Sequence, residues 1–224
     1  MTALNVEQAR FNMIEQQVRP WDVLDFRVLS TLRGVRREAF VPEALREQAF
    51  SDTMLPLGHG EVMMPPVVEG RMLQALDVQP GETVLEIGTG SGFTAACMAH
   101  MGGQVTSVEI HRDLSAAARV ALDAQGFGAV SLETGDASVG WDNGRRYDVI
   151  AVTGALPAVP EAYKAMLNEG GRLFVIVGVA PVMQAMLMTR LPAGEDGEVW
   201  QTESLFETCL PYLVHAQPKP VFTF

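Results

Sequence analysis

The run Val84-Leu85-Glu86-Ile87-Gly88-Thr89-Gly90-Ser91-Gly92-Phe93-Thr94-Ala95-Ala96 decides how the chain is read. Its apolar residues up to Ile87 suit a parallel strand covered on both faces. Gly88, Gly90 and Gly92 then permit a tight turn, close approach of a ligand to the backbone, and a helix packed near the strand. The Ala-rich continuation to Ala99 favours helix. Such a strand–turn–helix presents unpaired helix N–H groups to a ligand at the carboxyl end of the strand.

The glycine spacing narrows the reading. A dinucleotide fingerprint is GxGxxG, whereas this turn is GxGxG and Phe93 stands where the last glycine would fall. That disfavours a nucleotide-dependent dehydrogenase. The whole string from the strand through Gly92 resembles the first motif of class I S-adenosylmethionine (SAM)-dependent methyltransferases. The competing reading is an ordinary βα turn in another α/β protein.

The bulk composition sets outer bounds. With 224 residues and 48% hydrophobic content, the chain has material for one large domain, or a domain with an appendage. A formal net charge of −11 argues against a broad nucleic-acid footprint. Cys97 and Cys209 match neither a metal spacing nor a disulfide framework. The opening MTALNVEQARFN has no apolar core of a signal peptide, and no apolar run reaches the roughly 18 residues of a membrane span. The expectation is a cytoplasmic, soluble protein. No oligomeric state or partner protein is read from these residues.

Around the glycine turn the elements alternate. Residues 6–48 read as helical, with Arg19-Pro20 ending a first helix, Gly34 closing a second and Pro42-Glu43 starting a third. Residues 50–66 are rich in Gly, Pro and Met and read as a loop or short strand pieces. A helix over 67–76 leads through the Gln79-Pro80-Gly81-Glu82 turn into the first core strand. Further strands are expected at 104–109, 130–133, 147–152 and 172–177, with helices at 114–124 and 160–167, the latter ended by Asn168-Glu169-Gly170-Gly171. Residues 183–190 and 204–214 read as a final strand pair around a polar hairpin loop at 191–197. This order predicts a Rossmann-like α/β fold with a mostly parallel sheet and an antiparallel edge. Residues 1–77 would form an N-terminal helical extension and loop, and residues 78–224 the ligand-binding core.

Two acids complete a cofactor site. Glu109 ends the second strand about 20 residues beyond the turn, where a carboxylate can take a pair of ribose hydroxyls. The alternative is a solvated acid at a strand end. Asp136 follows the third strand at the same sheet edge, where it could accept from an adenine amino group while Ala137 offers its backbone N–H. A turn-forming Asp is the alternative. Thr153 follows the fourth strand and faces the same crevice, there to contact methyl donor or substrate, or simply to shape the turn.

These positions carry a family resemblance over most of the chain. Arg37-Glu38-Ala39-Phe40-Val41-Pro42, Phe50-Ser51-Asp52, Leu55-Pro56-Leu57-Gly58-His59-Gly60, the Val84 to Gly92 run, Gly135-Asp136, Gly140-Trp141, the strand from Tyr147 to Thr153 and the stretch from Leu167 to Gly178 resemble the protein-L-isoaspartate O-methyltransferase family. The resemblance implies a SAM-binding fold with a helical extension, and methylation of the abnormal carboxylate of isoaspartyl residues in damaged proteins. It implies SAM contacts from Glu86, Gly88, Thr89, Gly90, Ser91, Gly92, Glu109, Asp136 and Ala137.

The acceptor side departs from that pattern. After Gly-His-Gly the family reads Gln-Thr-Ile-Ser-Ala-Pro-His, and this chain reads Glu61-Val62-Met63-Met64-Pro65-Pro66-Val67. Met64 holds the place of the family's active-site serine. A pocket of Met63, Met64 and two prolines would suit an apolar or aromatic acceptor; otherwise Met64 only fills space. Glu61 would repel an anionic substrate if it faced the pocket. A carboxylate acceptor needs no general base, whereas a phenol, alcohol or amine would draw on His59 or Glu61. Three readings follow: an isoaspartyl methyltransferase, a methyltransferase for a small or apolar acceptor, and a non-catalytic SAM-binding relative.

Overall fold

The computed structural model describes residues 5–194 and 197–218. Helix α1 (Val6–Met13) is capped by the Asn5 side chain, which accepts from the Gln8 N–H. Its axis runs on through a π-helical turn (Ile14–Val18) and a 3₁₀ turn (Arg19–Trp21), so Pro20 sits in a first turn, where it is tolerated, and does not end the helix. The chain leaves at Asp22, in the left-handed region with φ 58°. Helix α2 (Phe26–Gly34) starts on an Asp25 cap. The third expected helix is a 3₁₀ segment (Glu43–Gln48).

The Gly- and Pro-rich stretch folds as a small antiparallel hairpin, β1 (Leu55–Gly58) and β2 (Glu61–Met63), followed by helix α3 (Pro66–Leu76). The core sheet is built from β3 (Thr83–Ile87), β4 (Gln104–Glu109), β5 (Ser131–Thr134), β6 (Tyr147–Leu156), β7 (Leu167–Val179), β8 (Val182–Gly194) and β9 (Gly197–Thr208). Their spatial order is β5-β4-β3-β6-β7-β8-β9, parallel through β7 and antiparallel for the last two pairings. Helices α4 (Phe93–His100), α5 (Arg112–Ala124) and α6 (Glu161–Ala165) follow β3, β4 and β6. The chain starts at the central β3, steps outward one way to β5, then returns to β6 on the other side of β3. That reversal is a topological switch point, where a crevice opens outside the carboxyl ends of the strands.

Four strands differ from the expectation. Helix α6 stops at Ala165, and Leu167 already pairs with Tyr147. Gly170 (φ 78°) and Gly171 form a bulge inside β7, between that pairing and Val149 opposite Arg172, where a helix end was expected. Strand β6 runs on to Leu156 through a second irregularity between Ala151 and Ala155, which re-aims Thr153-Gly154 at the crevice. Strand β9 starts at Gly197 and stops at Thr208, and β8 runs to Gly194, so the two strands extend through most of the expected hairpin loop, of which positions 195 and 196 lie outside the described residues.

Residues on both sides of position 77 share one buried cluster, in which Met13, Ile14, Leu32 and Met72 pack with Val84, Phe93 and Phe174. No described helix is long and apolar enough to cross a membrane.

Candidate cofactor and acceptor site

The glycine turn takes the shape its residues allow. Gly88, Gly90 and Gly92 have φ of 95°, 50° and 84°. A Cβ at Gly88 would lie 2.5 Å from Thr153 Oγ1, and one at Gly92 would press on Ala118 and Leu122 at 3.3 Å. Only glycine meets both the backbone and the space requirement at Gly88.

The turn is held from below and from the side. Thr153 Oγ1 lies 2.9 Å from the Ile87 carbonyl and 2.7 Å from that of Gly88, so its single proton is directed into the turn. Beneath it the Ser107 hydroxyl donates to Glu86 and lies 2.5 Å from Thr89 Oγ1. Glu86 is fully buried, its Oε1 has no partner among the described groups, and burial pushes its carboxyl up to about 8. Glu109 accepts from the Gly90 N–H at 2.8 Å and the His111 N–H at 3.0 Å. Each carboxylate oxygen keeps a further lone pair for a ligand hydroxyl.

Asp136 accepts from the Ser138 N–H at 2.9 Å and pairs with His215 Nδ1 at 2.8 Å. Partial burial raises its carboxyl, but the His215 and Ser138 hydrogen bonds outweigh it and leave the group below the usual range. Tyr163 donates to the Ala137 carbonyl at 2.5 Å and fixes the floor beside Asp136.

One crevice gathers Gly88, Gly90, Glu109, Asp136, Ala137 and Thr153. Glu86, Thr89, Ser91 and Gly92 are not on its lining. The first two are buried supports beneath the turn, and Gly92 packs against α5.

On the acceptor side the methionines take the space-filling alternative. Met63 and Met64 are both 4% exposed and pack into the main core, away from the crevice lining, so no methionine pocket faces the crevice. Instead the Met64 carbonyl accepts from Arg37 at 2.7 Å. Arg37 is fully buried, donates to the Ala49 carbonyl at 2.8 Å, pairs with Glu69 and lies over the Phe93 ring at 5.0 Å. Burial pushes the Glu69 carboxyl up to about 7 while Arg37 pulls it back. His59, in the left-handed region with φ 54°, does not line the crevice either. It bonds Asp113 at 2.8 Å and stacks on His111, with ring centroids 4.1 Å apart.

Glu61 and Val62 do line the crevice. Glu61 lies 3.8 Å from His111 Nε2, and burial together with Glu109 pushes its carboxyl up while His111 and His59 pull it back. Leu213 and Val214, expected in the last strand, also line the crevice. Pro211 ends that possibility. The segment turns back over β6, with the Leu213 N–H bonded to the Ala155 carbonyl at 2.9 Å and the Ala155 N–H to that of Pro211 at 2.8 Å. Among the described residues no group of three or more His, Cys, Asp or Glu side chains is placed to hold a metal ion.

A family model described as protein-L-isoaspartate(D-aspartate) O-methyltransferase (PCMT) matches residues 9–206. The chain belongs to that family. The protein-L-isoaspartate O-methyltransferase 1 of Rhodopseudomonas palustris is 42% identical over 187 residues, covering 84% of this chain and 76% of its own. The protein-L-isoaspartate O-methyltransferase of Myxococcus xanthus is also 42% identical, over 82% of this chain and 86% of its own. A PCMT crystal structure from Plasmodium falciparum, in complex with S-adenosyl-L-homocysteine, shares the fold. It superposes with a TM-score of 0.77 at 20% identity, covering 93% of this chain and 98% of its own.

Proposed function

We propose that this PCMT-family protein transfers a methyl group from SAM to the free carboxylate of L-isoaspartyl residues in damaged proteins, the first step of their repair. The observation that carries this reading is the convergence of Gly88, Gly90, Glu109 and Asp136 on one crevice, closed by Glu61 and Val62 of the β1–β2 hairpin.

The residues present fit the cofactor. Gly88 and Gly90 line the crevice with backbone alone, Glu109 keeps lone pairs for the ribose, and Asp136 with Ala137 lines the place for the adenine. When bound, SAM supplies an already activated sulfonium methyl. The protein has to align a nucleophile with it and exclude water. A carboxylate is ionised at neutral pH and needs no base. This agrees with a site in which the Thr153 proton is engaged by the turn and His59 by Asp113. The second carboxylate to consider, Glu61, is a wall charge. The thiols of Cys97 and Cys209 are both unpaired, which favours a reducing compartment, and we place the enzyme in the cytoplasm.

The test is methyl transfer from labelled SAM to an L-isoaspartyl peptide, with SAM binding followed calorimetrically on the same sample. Label released by mild base marks a methyl ester and supports the reading. SAM binding without transfer to that peptide refutes the acceptor, and absence of SAM binding refutes the site.

A further inference from the structure

We propose that Glu61 is the specificity-determining residue of the acceptor mouth, disfavouring isoaspartyl peptides with an acidic neighbour and favouring those with a cationic one. This rests on the isoaspartyl reading above.

The charge inventory of the crevice leads there. Among the described residues its lining carries the carboxylates Glu61, Glu109 and Asp136 and no Lys or Arg. Glu109 is held by the N–H groups of Gly90 and His111, and Asp136 by His215 and the Ser138 N–H. Glu61 is different. Its nearest cationisable neighbour among the described residues, His111, stands 3.8 Å away, beyond hydrogen-bond length, and the side chain is 26% exposed. It therefore presents the least compensated charge of the three, on a hairpin that no other acid of the lining shares. A cleft with low-dielectric walls focuses such a field on whatever enters. The carboxylate to be methylated must enter the crevice, so the residues flanking it pass the hairpin.

The repulsion between Glu61 and the reacting carboxylate is common to all isoaspartyl peptides and cancels when two of them are compared. The flanking charge does not cancel. For unit charges roughly 8 Å apart, at an effective dielectric between about 40 and 80, Coulomb's law gives about a two- to sixfold effect per charge. Exchanging a flanking Glu for Lys then changes kcat/KM by about fivefold or more, and added salt shrinks the ratio because the Debye length falls.

The experiment measures kcat/KM at pH 8 and low ionic strength for two isoaspartyl peptides that differ only in a flanking Lys or Glu. It uses the wild type, Glu61→Gln and Glu61→Lys, with SAM affinity measured for each. The expected result is a Lys preference of about fivefold or more in the wild type, near parity in E61Q and reversal in E61K, each read at saturating SAM so that any change in cofactor affinity does not enter the ratio. Equal rates in the wild type, or a preference that E61Q retains in full, overturn the assignment of Glu61. Binding of SAM with no methylation of either peptide overturns the isoaspartyl reading itself, and this inference with it.

Discussion

Substituting Gly88 by Ala puts a methyl group where Thr153 Oγ1 would be 2.5 Å away, on a residue with φ 95°. The backbone penalty for an L-residue there is about 1–2 kcal/mol. Forcing the contact apart costs about 1–3 kcal/mol more, as for other overpacked sites. The movement also breaks the 2.7 Å bond from Thr153 to the Gly88 carbonyl. The sum is about 2–5 kcal/mol, which in a chain of this size lowers Tm by about 4–20 °C. Because the displaced turn is the cofactor cradle, SAM affinity falls with it. The decisive comparison is a double-mutant cycle. Thr153→Ala alone should cost about 1 kcal/mol, the value of one hydrogen bond. G88A/T153A removes the clash and leaves only the backbone strain, so it should be more stable than additivity requires by about 1–3 kcal/mol. Urea denaturation of the four proteins measures this, with SAM binding by calorimetry alongside. An additive cycle, or a G88A protein with wild-type SAM affinity, would show that the Gly88–Thr153 contact does not shape the cradle.

Glu109→Gln keeps the side chain's size but loses charge-assisted acceptance from two N–H groups and from the ribose, so SAM affinity should fall about ten- to a hundredfold, and unchanged calorimetric affinity would remove Glu109 from the site. Arg37→Met strands a buried Glu69 and should cost about 3–5 kcal/mol, whereas R37M/E69M should recover most of that loss, and a double variant as unstable as the single would refute the ion-pair account. Glu86 has a folded-state value of about 8 against an ordinary 4.5, so its contribution to stability is fully present below about pH 4.5 and is lost as pH rises through 8. Glu86→Gln should remove that loss, gaining on the wild type between pH 5 and pH 9 by at most about 1.4 kcal/mol per pH unit, and parallel stability curves would contradict a buried, protonated Glu86.

The legible parts of this molecule are those whose geometry is local. A strand, three glycines and a helix fix their own shape, and a parallel sheet puts every loop after a strand at one edge. Gly88, Glu109, Asp136 and Thr153 could therefore be placed together without knowing any contact between them. Glycine was also where local reading failed, because Gly170-Gly171 serves a helix end and a strand bulge equally well by composition. Pairing of Leu167 with Tyr147 decides it, and that pairing is 20 residues away. The reach of Leu213 back to Ala155 is likewise a long-range bond. Pro211 was its one local signal, and it says where a strand stops but not where the chain goes next.

The acceptor side was illegible for a more specific reason. A run of Met, Met, Pro, Pro beside a glycine loop reads as an apolar pocket if its side chains face outward. Which way they face depends on Arg37, a charged residue in a segment that looked like a plain helical appendage. Its guanidinium is buried because three groups from different parts of the chain satisfy it: the carbonyls of Ala49 and Met64 and the carboxylate of Glu69. That clasp draws the Met64 backbone inward and Met63 with it into the core, while Glu61 and Val62, nearer the hairpin turn, stay at the crevice. If Glu61 sets acceptor specificity as proposed, the departure from the family pattern acts through charge. Losing a serine for a methionine then matters less than gaining a carboxylate at Glu61, since the Met64 side chain lies in the core off the crevice lining and the carboxylate stands on the crevice wall.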